Sequence, residues 1–446
     1  MLARGIATLL VVCFAAGTLA ASATADETSA WEAEIRDTFG GQLSAATSDL
    51  FSGPPQVFWR RGPTLQTPKE ALAMHVGWEI QTDLTAYGDM AQEVEDAAQD
   101  RWTSGGYMRR NRITVEGFFL KYWYVRARYG VNGFTGLDFA DLFVEWSGLH
   151  ALGRDAPVFR VGQVKEPITL DWMNNAKWPT FAERGMVTTS IVPNRTPGIR
   201  LHGNGFGRRL SYQLGAFLVG ESRLTTNRQS DDAWAVTGRV TGLPWVSKRQ
   251  PNRLLHLGLS GSHRWKLDRV QYASKLETWR GPEAISTGEI NAKSVTVGAA
   301  EAFYQEGRFS VLCEGAITHV RRSDGGTTNF WGGYIQASYF LTGPGINYSR
   351  GFGVFGRVKP RCTIFCPAKR GWGAFEVAAR YSVLDLDSGP LPGGRAWNIT
   401  LGVNWYARDN IRVTFNYIHS NVANAYGVQA ADSTLNTLSL RTQYDF

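Results

Sequence analysis

Between residues 397 and 446, apolar and polar side chains take alternate positions, and that periodicity admits few folds. Trp397, Ile399, Leu401, Val403 and Trp405 share one parity, and Asn398, Thr400, Gly402 and Asn404 the other. Ile411, Val413, Phe415 and Tyr417 oppose Arg412, Thr414 and Asn416, and Leu438, Leu440, Thr442, Tyr444 and Phe446 oppose Ser439, Arg441, Gln443 and Asp445. Successive strand residues point to opposite faces, so each stretch reads as a strand with one greasy and one polar side. The same pattern recurs from residue 75 onward and gives about sixteen strands, an even number suited to antiparallel closure. Turns near 134–136, 306–308 and 407–410 are short, whereas the stretches near 88–106, 266–292 and 342–370 are long. Short periplasmic turns alternating with long external loops would produce that asymmetry.

Beyond residue 25 no apolar run approaches the ~20 residues of a membrane-crossing helix. Alternating strands escape that search, because only every second residue meets lipid. A soluble barrel of this size would have to fill its interior with apolar side chains; here the second face carries charge and glycine. Trp123, Trp146, Trp234, Trp405 and Tyr444 sit at strand ends, as aromatic girdles do at membrane interfaces. The expected fold is therefore all-β, a transmembrane antiparallel β-barrel set in outer-membrane lipid. The net charge of +8 is spread without any Lys/Arg run. A nucleic-acid partner would call for a denser basic patch.

Three regions are expected. Residues 1–25 read as a signal peptide: Arg4, an apolar core from Ile6 to Leu19, and Ala23-Thr24-Ala25 as the cleavage site. Residues 26–56 read as a periplasmic leader with a short helix, because Trp31, Ile35, Phe39 and Leu43 recur every four positions before Ser52-Gly53-Pro54-Pro55. Residues 57–446 form the barrel domain. Cys13 leaves with the signal peptide, Cys313 reads as a packed side chain, and Cys362 and Cys366 either close a small loop or stay free. Two cysteines without a His pair predict no metal site, and no cofactor is expected. His202, His256, His263 and His319 belong to no motif with a serine, so an enzyme is not expected. A terminal Phe446 with Tyr444 two residues earlier resembles the recognition signal of the outer-membrane assembly machinery.

A charged strand residue facing lipid costs ~2–4 kcal/mol near the midplane, so charged positions should face the lumen. Arg110, Arg112, Arg126, Arg128, Arg160 and Arg200 then line an anion path, facing acids such as Glu79, Asp83, Glu116, Asp141 and Glu145. Arginine rings in a narrow pore attract anions; if arginines and acids pair across the wall instead, selectivity is weak. The stretch from Lys165 to Asn194 is too long for a turn, and Pro167, Pro179 and Pro193 cannot continue a ladder. It is the candidate for a constriction loop folded into the lumen, with Lys165, Lys177 and Arg184 as its cations; the alternative is an ordinary external loop.

Several ordered blocks resemble the phosphate-selective porin O and P family. They are Tyr107-Met108-Arg109-Arg110-Asn111-Arg112 with ITVEG, GQVKEP at 162–167, NNAKWPTFAERG at 174–185, GGYIQASYFLTG at 332–343, GAFEVAARYSVLDL at 373–386 and ITLGVNWYARDNIRVTFNY at 399–417. The resemblance implies a homotrimer of sixteen-stranded barrels in a Gram-negative outer membrane, passing small anions by diffusion along a ladder of lumen arginines. Arg109 and Arg110 match the family's paired-arginine motif, although alternation lets only one of them point squarely inward. Trp172-Met173-Asn174-Asn175 departs from the lysine and hydroxyl residues of phosphate-selective members, and Trp78 stands where the first strand often has arginine. The expected function is passive diffusion of small solutes with a preference for anions, phosphate or polyphosphate among them. The alternatives are a weakly selective general-diffusion porin and a plugged structural barrel.

Overall fold

The computed structural model describes residues 56–446 except 60–61, 68–71, 121, 132–136, 152, 154, 220–232, 251, 365–370, 390 and 426–432. The expected signal peptide, the leader helix and Cys366 lie outside the described residues. Sixteen strands form a closed antiparallel barrel. They are β1 Leu72–Tyr87, β2 Gly105–Phe119, β3 Trp123–Val131, β4 Leu137–Trp146, β5 Val158–Lys165, β6 Arg195–Gly205, β7 Leu210–Leu218 and β8 Trp234–Val246. The second half comprises β9 Arg253–Trp265, β10 Ile290–Glu306, β11 Phe309–Arg322, β12 Thr327–Phe340, β13 Ala374–Ser388, β14 Leu391–Arg408, β15 Ile411–Ala423 and β16 Ser433–Asp445. Each strand pairs with its sequence neighbour, and β16 returns to β1 with Leu440 opposite Leu84 and Tyr444 opposite Ile80. Closure removes the free edges that an open sheet would present. A hairpin of Gln56–Trp59 and Pro63–Gln66 extends the sheet at the start of β1.

The alternation sorts faces as the lipid argument requires. Leu84, Ile113, Val240, Leu259 and Ile335 are exposed on the outer wall, whereas Asp83, Arg112, Arg239 and Gln336 are buried on the inner one. Aromatic side chains gather in two belts. At the end holding Phe446, Trp123 stands 6.4 Å from Trp146, and Phe375 stacks on Trp405 at 6.2 Å. At the other end Trp234 stacks on Trp265 at 4.0 Å and Tyr381 lies 6.3 Å from Trp397. Along β8, the steps from Trp234 to Trp245 at ~3.3 Å each and a tilt of ~40° separate the belts by about 28 Å, close to the ~25 Å apolar band of such barrels.

Strand parity assigns every connection to an end. The tight turns at 120–122, 206–209, 307–308 and 409–410 share the end of Phe446; the connections at 88–104, 166–194 and 266–289 lie at the opposite, loop end. Parity corrects two expectations. The long 341–373 stretch joins β12 to β13 and therefore belongs to the turn end, not among the external loops. Its hairpin, Asn347–Ser349 paired with Val354–Gly356, folds back into the barrel. Parity also puts the end of β3 and the start of β4 at the loop end, so the short turn expected near 134–136 does not join the turn-end set; residues 132–136 themselves lie outside the described residues.

Candidate functional site

The stretch after β5 folds across the lumen. It enters on Glu166, whose buried carboxylate accepts from Thr196 Oγ1 at 2.6 Å, Thr237 Oγ1 at 2.7 Å and Arg264 Nη2 at 2.5 Å. A single helical turn follows, α1 Leu170–Met173, and the Asp171 amide donates to Glu314 on β11 at 2.7 Å. The chain then runs along the opposite wall. The carbonyls of Pro179 and Thr180 each accept from Arg412 at 2.7 Å, that of Ala182 from Arg441, and the Ala182 amide donates to Asn416 at 2.9 Å. A second short helix, α2 Met186–Ser190, packs on β12 and β13 before the chain rejoins β6. Irregular backbone at membrane depth must have its polar groups satisfied by protein. The Arg, Asn and Gln side chains of the inner wall supply those partners.

Two further segments fill the space around this loop. From the loop end, Glu277 accepts from Arg380 at 2.5 Å and from Thr400 at 2.8 Å, and the Trp279 ring lies 3.7 Å from the Arg109 guanidinium. From the turn end, Arg239 pairs with Glu301 at 2.5 Å and donates to the Gly353 carbonyl at 2.9 Å. His256 bridges Glu301 at 2.8 Å and the Tyr348 hydroxyl at 2.6 Å. The two ends meet where the Phe355 amide donates to Asn174 Oδ1 at 2.7 Å.

The sequence-derived cations fall into two groups. Arg126 pairs with Glu116 at 2.6 Å, Arg128 with Asp141 at 3.2 Å, Arg160 with Glu145, and Lys177 with Asp445 at 3.3 Å. Arg110, Arg112 and Arg200 are buried on the inner face with no carboxylate of the described residues within 4.0 Å, and half-buried Lys165 and Arg184 also lack one among those residues. Arg110 donates to Gln81 at 2.5 Å, and Arg200 to the Lys165 carbonyl at 3.3 Å. Lys165, the last residue of β5, donates to the carbonyls of Trp172 at 2.8 Å and Asn174 at 2.6 Å, at the C-terminal end of α1. Arg184 donates to the carbonyls of Asp171 at 2.8 Å and Asn174 at 2.9 Å. Cations at carbonyl ends complement the helix dipole. Burial lowers the Arg184 pKa from its ordinary value, with Asp171 opposing and Arg195 adding to the fall.

Arg109 departs from strict alternation. Gln81 faces Arg110, but Thr82 faces Met108, so Arg109 is the extra residue of a β-bulge and is buried like Arg110. A bulge leaves one residue unpaired and re-aims its side chain. Arg109 then clasps Glu183 of the loop through Nε at 2.6 Å and Nη2 at 3.0 Å. Arg441 holds the same carboxylate at 2.5 Å. Burial opposes the charge on Glu183, yet Arg109 and Arg441 outweigh it and hold its carboxyl well below the usual range. Arg195, paired with Asp141 at 2.8 Å, joins Arg112, Arg128 and Lys165 on the same wall. Trp78 points outward beside Phe446 at 6.1 Å and donates to Asn111, so it takes no place in the lumen. Phe446 closes the barrel, exchanging backbone hydrogen bonds with Trp78 and packing 5.3 Å from Trp59, and Tyr444 lies 5.8 Å away on the outer face.

A closed sixteen-stranded wall with a charged interior and lipid-facing aromatic belts is a membrane channel architecture. The family model described as phosphate-selective porin O and P matches residues 76–446. The chain belongs to that family. Porin O of Pseudomonas aeruginosa is 22% identical over 414 residues, which cover 85% of this chain and 89% of that protein. An uncharacterized protein of Caulobacter vibrioides is 28% identical over 226 residues, 48% of this chain and 43% of that one. Among solved structures, a loop-deletion mutant of OmpT, an outer membrane protein of Vibrio cholerae, superposes with a TM-score of 0.54 at 8% identity, covering 84% of this chain and all of that one (100%). An anion-selective porin from Comamonas acidovorans gives 0.51 at 14% identity, with 84% and 100% covered. At such identities these structures share the fold. The chain is thus an outer-membrane β-barrel of a Gram-negative-type envelope, in a family of channels rather than enzymes.

Proposed function

We propose that the barrel is a passive, water-filled channel for small hydrophilic solutes and that its constriction favours anions. One observation carries this reading: the uneven set of buried and half-buried lumen charges left without an ionic partner. Among the described residues, buried Arg110, Arg112, Arg200 and Arg412 and half-buried Lys165 and Arg184 have no carboxylate within 4.0 Å, against buried Glu79, Asp171, Glu314 and Glu376 among the acids. Four of these cations lie on β2, β5 and β6, while Glu314 and Glu376 lie on β11 and β13. The lumen is therefore both net positive and polarised across its width. In a narrow passage of low effective dielectric such a surplus attracts anions and raises the barrier to cations. Phosphate or polyphosphate is the sharper version, supported by the family's description.

The weakly selective alternative draws on the pairing of Arg126, Arg128, Arg160 and Lys177 with wall carboxylates. Reversal potentials in a KCl gradient, with purified protein in planar bilayers, separate the two. Anion preference that falls in Arg110→Ala and falls less in Lys177→Ala, whose partner Asp445 keeps Arg357, supports the proposal. A cation-selective wild type refutes it. Block of chloride current by millimolar inorganic phosphate tests the sharper version. Conductance gained only on deleting residues 26–55 would favour a plugged barrel. The homotrimer, export through cleavage before Asp26 and assembly through the Tyr444–Phe446 end belong to the same reading. Native mass spectrometry and N-terminal sequencing of the outer-membrane protein address the first two.

A further inference from the structure

The outer wall over β9 to β12 carries a polar and basic band that the channel does not use. Cross-strand register aligns His263, Thr296, His319 and Asn329 in one row. His263 Nδ1 lies 2.7 Å from Thr296 Oγ1, and His319 Nδ1 donates to Asn329 Oδ1 at 2.8 Å. The next row toward the loop end holds Trp265, Ser294 and Arg321. A bulge between Ala292 and Ser294 sets Lys293 beside Ser294 opposite Arg321, and the Lys293 carbonyl accepts from Leu267, next to Lys266. Lys266, Lys293 and Arg321 are exposed, lie on three consecutive strands or their ends, and have no carboxylate within 4.0 Å among the described residues. Their neighbours Arg322 and Arg269 are neutralised by Asp324 and Glu289.

Depth decides what such a band can meet. Tyr339 stands in the turn-end aromatic belt of β12, and the steps from it to Asn329, at ~3.3 Å and a ~40° tilt, rise about 25 Å, the height of the apolar band. The His/Thr/Asn row therefore sits just beyond Trp331 at the lipid headgroup level, and the cations sit one row farther out. Long loops mark that end as the outer surface. Unpaired Lys and Arg at headgroup depth attract lipid phosphates, and a guanidinium can grip one with two parallel hydrogen bonds. Three cations on neighbouring strands ~4.8 Å apart match the reach of one or two phosphate groups. The stacked Trp234 and Trp265 rings, edged by His263 at 4.2 Å, flank them with a flat amphipathic surface.

We propose that this face binds the phosphate groups of an outer-leaflet lipid, the lipid A part of lipopolysaccharide. The test uses native mass spectrometry of the detergent-solubilised mature protein with bisphosphorylated lipid A, enzymatically dephosphorylated lipid A and phosphatidylglycerol. Wild type should hold bisphosphorylated lipid A about tenfold or more tightly than the dephosphorylated form, and K266Q/K293Q/R321Q should lose that advantage. The control K248Q/R249Q, at the turn end, should stay within about twofold of wild type, and conductance should be unchanged in both. Equal retention of the two lipid A forms overturns the proposal, as does wild-type binding by the triple variant or preference for phosphatidylglycerol. Displacement of the lipid by millimolar inorganic phosphate would also overturn it, by making free phosphate the ligand.

Discussion

Glu183→Gln separates the docking of the constriction loop from its electrostatics. Among the described residues the carboxylate is the only ionic partner of Arg109, whereas Arg441 also holds Asp83 at 2.6 Å. Removing its charge therefore leaves one guanidinium uncompensated beside Arg110. The loop keeps its anchors nearby: the Ala182 carbonyl on Arg441, the Ala182 amide on Asn416 and the Glu183 carbonyl on Arg380. At about 8 Å from a passing ion, one elementary charge is worth about 0.5 kcal/mol in water and about 2 kcal/mol at an effective dielectric of 20. That energy lowers the anion barrier and raises the cation barrier together, so the anion-to-cation permeability ratio should rise by the square of the single-ion factor, about sixfold at the water value expected in a wet constriction and more at the lower dielectric. The readout is the reversal potential in a KCl gradient, measured against pH. The folded carboxyl lies below its unfolded value, so its ionic contribution is complete above the unfolded value of ~4.3 and fades only as pH falls through the lower folded value. The difference between wild type and variant should thus hold constant from pH 7 to about 4. An unchanged or reduced anion preference refutes the reasoning, and so does a difference that vanishes near neutrality.

Other substitutions probe separate parts of the molecule. Lys165→Met strips donors from the carbonyls of Trp172 and Asn174 and should loosen the loop by about 2–4 kcal/mol, seen as noisier single-channel current and faster proteolysis within 166–194. Arg239→Met leaves Glu301 with His256 alone and frees the Phe352 and Gly353 carbonyls. Breaking a buried pair from one side costs about 3–5 kcal/mol, so hydrogen exchange at Tyr348 and Phe355 should accelerate while the barrel stays folded. Phe446→Ala removes the ring that packs on Trp59 and Trp78 and should lower the yield of folded barrel in outer membranes, read from the heat-dependent gel shift.

The strands and their faces were legible because a period of two is a local property, and one misplaced charge on the lipid side is costly. Arg110, Arg112 and Arg200 could be placed on the inner wall from parity alone. Arg109 could not, since a bulge adds a residue without changing the pattern on either side of it. The prolines and length of 166–194 marked a segment that cannot be a strand, and the three-dimensional fold shows what it crosses. Glu183, Glu277 and Glu301 went unnoticed as partners because each meets its arginine from a different part of the chain, and no spacing rule links them. The turn-end origin of 341–373 was available in principle. Counting strands from either terminus fixes its parity, and the rule of short turns and long loops is only a tendency.

The surplus of positive charge follows from how the loop is held. Backbone carbonyls inside a barrel need donors, and Arg412, Arg184 and Lys165 supply them. A carbonyl satisfies the hydrogen bond without cancelling the charge, unlike the carboxylates that pair Arg126 or Arg160. Docking an irregular segment with cations therefore makes the lumen positive as a consequence. Arg412 tests this directly, because its two nitrogens donate to Pro179 and Thr180 at 2.7 Å each. Arg412→Gln retains a neutral donor at that position, while Arg412→Ala strips Pro179 of its donor and leaves the Thr180 carbonyl with Asn404 Nδ2 at 2.8 Å. Both should lose anion preference by a similar factor of about two to five, since each removes one charge. The alanine variant alone should show added loop mobility, as current noise and proteolysis of 166–194. If glutamine preserves wild-type selectivity, the charge of the docking cations is irrelevant to permeation, and the preference must come from elsewhere in the wall.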